Sequence, residues 1–156
     1  MIEVEIPGRA TLALAHLVLD LNGTVALDGK LLPGLADRLA VLSPRLIVHL
    51  ATADTHGRAA TVAEELGVRL ALVHRGQETK EKQALVERLG AASVVAIGNG
   101  ANDAGMLATA ALGIAVLGQE GLAVAALGAG DLVVAHIHDA LDLLLHPKRL
   151  VATLRR

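Results

Sequence analysis

The run His16-Leu-Val-Leu-Asp20-Leu-Asn22-Gly23-Thr24 decides how the rest of the chain is read. A short apolar stretch leads into a carboxylate, and a glycine flanked by small polar residues follows at once. Such a run, closed by turn chemistry, predicts a strand buried on both faces. A strand of that kind needs neighbours, and the chain supplies them. Leu46 to Leu50, Leu70 to Val73, Val94 to Ile97, Ile114 to Leu117 and Leu132 to Val134 are further short runs rich in Val, Ile and Leu. Helical patterns separate them: Leu35 to Leu42 after Pro33-Gly34, Gly57 to Leu66 before Gly67, Glu78 to Leu89 before Gly90, Asn102 to Ala110, and Gly121 to Leu127. Strand and helix therefore alternate about five times, the pattern of an α/β, doubly wound parallel sheet. Upstream, Ile2 to Ile6 alternates strictly, Pro7-Gly8 turns, and Thr11 to Leu14 alternates again, predicting a half-exposed hairpin at the edge of the larger structure. No linker or low-complexity tract divides residues 1–156, which read as one domain.

Composition narrows the function. Hydrophobic residues make up 53% of the 156, yet Phe, Tyr, Trp and Cys are all missing. Disulfides, thiolate metal sites, a cysteine nucleophile and aromatic base-stacking platforms are thereby excluded. Lys and Arg number 14 against 16 Asp and Glu, so nothing marks a nucleic-acid binder or an anionic-membrane binder. Mean hydropathy is +0.54, but the longest uncharged run, Ala104 to Gln119, is broken by three glycines and falls short of the roughly 20 apolar residues of a membrane span. The acidic start MIEVEIPGR does not resemble a secretion signal. The expectation is a soluble, cytoplasmic protein.

In doubly wound sheets, ligands sit beyond the carboxyl ends of the strands. There the chain places Asp20-Leu-Asn22-Gly23-Thr24, then Thr52-Ala53-Asp54-Thr55, then Gly98-Asn99-Gly100-Ala-Asn102-Asp103, with Lys80 and Lys82 opening the helix before that last strand. Carboxylates, a hydroxyl, an ammonium and glycine-freed N–H groups are what a phosphoryl group beside a divalent cation requires.

These four segments, in this order, resemble the motifs of the haloacid dehalogenase-like hydrolases over roughly residues 16 to 135. Within that superfamily, Thr52-Ala-Asp54 and Gly98-Asn-Gly-x-Asn-Asp-Ala, followed by Met106-Leu107 and Gly113-Ile-Ala-Val, resemble the phosphorylation domain of P-type ATPases without its membrane helices or nucleotide-binding insertion. The resemblance implies a Mg²⁺-dependent phosphatase with Asp20 as the nucleophile that forms an aspartyl-phosphate. It further implies that Asp20, the main-chain carbonyl of Asn22, Asn99 and Asp103 hold the metal. Asn22, Gly23, Thr52, Ala53, Lys82 and Asn102 would contact the phosphoryl oxygens. Lys82 is preferred to Lys80 because it lies four residues before Val86, as in the ATPase helix.

Two departures stand out. Hydrolases of the family generally carry Asp two residues after the nucleophile, whereas this chain has Asn22, and an amide transfers no proton at neutral pH. Asn99 stands where the family usually has a metal-binding Asp, removing a negative charge from the metal shell. The site is therefore read as present but attenuated and slow. The competing reading is a regulatory phosphate- or nucleotide-binding module that has lost turnover. A dinucleotide-binding site is disfavoured, because Gly98-Asn-Gly100 comes too late in the chain.

The stretch between Gly23 and Thr52 is too short for a cap domain. It predicts a flap hairpin instead, with an Asp28-Gly29 type I′ turn. An open site of this kind accepts a bulky substrate or lets a neighbouring copy act as lid, hence an expected homo-oligomer; the expected partner is a small phosphorylated substrate or phosphate itself. No histidine has an acid-supported partner at metal-site spacing. His16 and His49 read as strand or core residues, and His56 is noted as a substitute proton donor. The tail, Asp139 to Leu145, reads as a helix broken at Pro147, with a solvated basic end.

Overall fold

Apolar runs this short, with no aromatic ring to fill space, bury themselves only by stacking in layers. In a computed structural model, which describes residues 1–54 and 57–156, they do so as a parallel sheet between two helical layers. Its strands are β3 (His16–Asp20), β6 (Ile47–Thr52), β7 (Arg69–Leu72), β8 (Val94–Gly98), β9 (Leu112–Val116) and β10 (Leu132–Val134), in spatial order β10-β9-β8-β3-β6-β7. Every adjacent pair is parallel. Two two-stranded antiparallel sheets accompany it: β1 (Ile2–Val4) with β2 (Leu12–Leu14), and β4 (Ala26–Leu27) with β5 (Lys30–Leu31).

The helices are α1 (Leu35–Leu42), α2 (Arg58–Leu66), α3 (Glu78–Leu89), α4 (Ala104–Thr109), α5 (Val124–Ala129), α6 (Ile137–Leu145) and α7 (Pro147–Leu154). Successive strand residues point to opposite layers. Leu17 and Leu19 pack with α1, α2, α6, α7 and the β1–β2 hairpin. Val18 faces α3, α4 and α5, over a layer built from small groups such as Ala51, Ala96, Ala115 and Ala126. The chain runs outward from β3 through β6 to β7, then crosses back by α3 to β8 on the other side of β3. That reversal opens a crevice at the carboxyl ends of β3 and β8, and α3 spans it.

Several sequence expectations shift. The N-terminal hairpin is half-exposed, with Ile2, Val4, Leu12 and Leu14 buried, but it forms its own small sheet instead of extending the edge of the large one. β9 starts two residues earlier than the apolar run suggested, and α5 spans Val124–Ala129 instead of residues 121–127. The predicted helix 102–110 opens with a 3₁₀ turn, Ala101–Asp103, before α4. Pro147 does not simply break the tail: it occupies the first turn of α7, where its missing N–H costs nothing, and Leu150 and Leu154 are buried. The flap matches its prediction, since Asp28 (φ 49°) and Gly29 (φ 75°) both take the left-handed backbone that a type I′ turn demands. Among the described residues, no helix is long and apolar enough to cross a membrane. Among the described residues, the flap and α1 lie between β3 and β6, and α2, β7, α3 and a 3₁₀ turn (Ala91–Ser93) lie between β6 and β8, with no cap inserted at either place.

Candidate active site

Asp20 ends β3, and the alternation that buries Leu19 on one face turns Asp20 to the other, beneath α3. Lys82 lies on the inner face of that helix with Leu85 and Val86. Its stem is swallowed by the small-residue layer, and its side chain is only 1% exposed. The Nζ donates to Asp20 Oδ1 at 2.6 Å and to Asp103 Oδ1 at 2.7 Å. Lys80, the reserve, is exposed and lies outside this contact. Burial pulls the Lys82 ammonium down, but the two carboxylates outweigh it and raise its pKa above the ordinary lysine value. Burial, and then the neighbouring Asp103, push the Asp20 carboxyl up to about 7, against the opposing pull of Lys82.

Asp103 corrects an expectation. It is fully buried, and its second oxygen accepts the backbone N–H groups of Asn99 (3.0 Å) and Gly100 (2.9 Å). With both oxygens committed it is a poor direct ligand for a metal. It positions Lys82 and the Asn99–Gly100 turn instead. Gly98 makes this possible, since a Cβ there would stand 2.5 Å from the Asp103 carboxyl carbon.

Gly23 is a second correction. Its N–H is bonded to Ala26 O at 2.8 Å within the flap base, so it is not free for a phosphoryl oxygen. Its role is spatial. With φ at 78°, it presents a bare Cα where a Cβ would meet Asn99 Nδ2 and Glu120 Oε2, each at 2.5 Å. Asn99 is itself oriented, accepting from the buried Thr24 hydroxyl at 3.3 Å and donating to Gly121 O at 3.1 Å. Thr52 ends β6, 3% exposed, and its hydroxyl oxygen accepts the Asp54 N–H at 3.1 Å, which leaves its own proton for a ligand.

These groups surround an open polar cavity of about 540 Å³, within the range of small-molecule sites. Of the residues singled out in the sequence, Asp20, Asn22, Thr52, Ala53, Lys82, Asn99 and Asn102 line it; Gly23 and Asp103 do not. Asp54, Arg58, Arg75, Glu78, Gly100 and Glu120 complete the wall. Arg75 and Glu120 could have been found by reading the ends of β7 and β9 as closely as those of β3, β6 and β8. His56 lies outside the described residues. His16 and His49 meet at 3.3 Å at the opposite end of the sheet, and among the described residues no group of three or more His, Asp or Glu forms a metal cluster.

A doubly wound sheet whose reversal point holds an aspartate, a buried lysine and a hydroxyl around one polar hollow defines an α/β enzyme built to receive an anion. The chain belongs to the haloacid dehalogenase-like hydrolases, whose family model matches residues 3–111. Over 62 residues it is 52% identical to an uncharacterised protein of Methanocaldococcus jannaschii, covering 40% of this chain and 67% of that one. The fold is similar to that of 3-deoxy-D-manno-octulosonate 8-phosphate phosphatase from Moraxella catarrhalis, solved with magnesium ion, phosphate ion and KDO. The TM-score is 0.71 at 16% identity, over 92% of this chain and 95% of that one. It is also similar to the catalytic domain of the CPx-ATPase CopB-B, with a TM-score of 0.62 at 23% identity, over 74% of this chain and 46% of that one.

Proposed function

We propose that the protein is a phosphohydrolase that works through an aspartyl-phosphate on Asp20. The observation that carries this reading is the buried Lys82 ammonium, bonded to Asp20 and Asp103 at the floor of a polar cavity. Asp20 attacks phosphorus in line as the P–O bond to the leaving group breaks. Water then attacks phosphorus, the acyl-phosphate bond breaks, and phosphate and the free carboxylate are released. Lys82 holds the nucleophile in place and offsets its charge. The Thr52 hydroxyl donates to a phosphoryl oxygen. Asn22, exposed at the cavity mouth, orients the ester but supplies no proton, so the leaving oxygen takes its proton from solvent. The reaction therefore favours good leaving groups and is slow on alkyl esters.

The donor chemistry fits a magnesium ion. Asp20, the Asn22 carbonyl and Asn99 offer hard oxygens, and the bare Gly23 Cα draws Asn99 and the Glu120 carboxylate together beside them. Such an ion would screen the charge of the phosphoryl group. In support, the Moraxella phosphatase of the same fold was solved with magnesium and phosphate.

The test is hydrolysis of 4-nitrophenyl phosphate with magnesium, beside an Asp20→Asn control. Activity that the control lacks supports the reading; identical traces overturn it. Asn22 favours one alternative, a phosphate-binding module without turnover. Beryllofluoride bound at Asp20 in a protein with no measurable hydrolysis would select that alternative.

A further inference from the structure

We propose that Arg58 and Arg75 form a second anion subsite, and that the substrate is a phosphomonoester bearing another anionic group, a carboxylate or a second phosphate. This deepens the phosphohydrolase reading and rests on it. Both guanidinium-bearing residues line the same cavity as Asp20 and Lys82, and both are exposed. They come from neighbouring strand ends: Arg58 opens α2 after β6, and Arg75 lies between β7 and α3. They therefore share one wall, across from Asn99 and Glu120. Neither makes an ion pair or a side-chain hydrogen bond among the described residues, whereas Arg9 and Arg38 are paired with Asp131 and Asp142. Glu78 opens α3 on that wall and is not paired with Arg75.

A second observation fixes Arg58 at the mouth. Its guanidinium lies against the bare Cα of Gly29 in the flap turn, where any Cβ would collide with it. Arg58 thus bridges α2 and the flap at the cavity mouth. Lys82 is already taken by two carboxylates, so among the described residues lining the cavity the cations available for a further anion are these two. A planar guanidinium binds carboxylate or phosphate oxygens two at a time, which gives orientation as well as attraction.

The experiment compares kcat/KM on 3-phosphoglycerate, glucose 1,6-bisphosphate, glycerol 3-phosphate, glucose 6-phosphate and 4-nitrophenyl phosphate, for wild type, Arg58→Gln, Arg75→Gln and the double variant. Arg45→Gln, exposed and remote from the cavity, controls for net charge. Wild type should prefer each doubly anionic ester over its singly anionic counterpart by about tenfold, and the double variant should lose that preference, mainly through KM. A preference confined to 3-phosphoglycerate identifies a carboxylate site, and one confined to the bisphosphate a phosphate site. Equal ratios in wild type and the double variant, or an equal loss in Arg45→Gln, overturn the proposal. If no ester is hydrolysed, the phosphohydrolase reading fails separately. Calorimetric affinities for 3-phosphoglycerate and glycerol 3-phosphate, in wild type and the double variant, then decide the subsite by the same ratio.

Discussion

Replacing Lys82 by Met should destabilise the fold far more than a single methylene-conserving exchange ordinarily does. Met keeps most of the buried stem, so little cavity forms, and the loss is that of the ammonium alone. That ammonium makes two bonds, 2.6 and 2.7 Å, to carboxylates whose side chains are 10% and 0% exposed. A hydrogen bond to a charged group contributes about 1.5–3 kcal/mol, so two give roughly 3–6 kcal/mol. Removing one partner of a buried ion pair costs about 3–5 kcal/mol, which agrees. For a chain of this length the melting temperature should fall by roughly 8–16 °C for a loss of about 4 kcal/mol. The reasoning makes a sharper claim about the triple variant Asp20→Asn/Lys82→Met/Asp103→Asn. With no charge left to strand, it should regain more than half of that loss while remaining inactive. Thermal and urea melts followed by circular dichroism measure both. A single variant within 2 °C of wild type, or a triple variant less stable than the single, would refute the account of a buried triad held by its own charges.

Asn22→Asp should restore a proton donor at the leaving oxygen, raising kcat on alkyl phosphates by about a hundredfold or more, the lower end of the usual 10²–10⁴-fold range of such help, and less on 4-nitrophenyl phosphate; steady-state rates showing no gain would dismiss the missing-acid explanation. Gly23→Ala should cost about 1–2 kcal/mol for its left-handed backbone and weaken magnesium binding by displacing Asn99 and Glu120, both readable by thermal melts and calorimetric titration of the metal. His49 is 6% exposed, and burial first, then His16 and Arg69, hold its imidazole down at about 4. Between about pH 4 and pH 6.5 the unfolded chain therefore binds more protons than the folded one. His49 stabilises fully above that window and loses up to about 3 kcal/mol as pH falls through it. A His49→Gln variant should show a flatter stability–pH profile there, and parallel profiles would count against the buried neutral imidazole.

The sheet was legible because each both-face-buried strand is a local apolar run between turn residues, and periodicity survives without any knowledge of neighbours. The convergence of Asp20, Thr52 and Lys82 was legible for a related reason, since strand ends in this topology meet at one edge. What escaped was set by partners distant in sequence. The commitment of Asp103 depends on how closely it approaches Gly98 and the Asn99–Gly100 backbone. The closed hydrogen bond of Gly23 depends on the flap folding back to Ala26. Arg58 and Arg75 sit where no period operates, so their shared wall emerges only once β6 and β7 lie side by side. The hairpin β1–β2 has the alternation of an edge strand, and nothing local says that its apolar side covers a helical layer instead of joining the sheet.

Because Lys82 belongs to the helix that spans the reversal of the sheet, the residues that would perform chemistry also clamp that helix to the strands. Prying α3 loose would expose one cation and strand two anions in a single event. Such a clamp ties catalytic geometry to survival of the fold. A descendant that had abandoned turnover could not lose any one of the three charges alone without stranding the others. The proposed anion subsite, Arg58 and Arg75, lies outside that clamp, on exposed side chains.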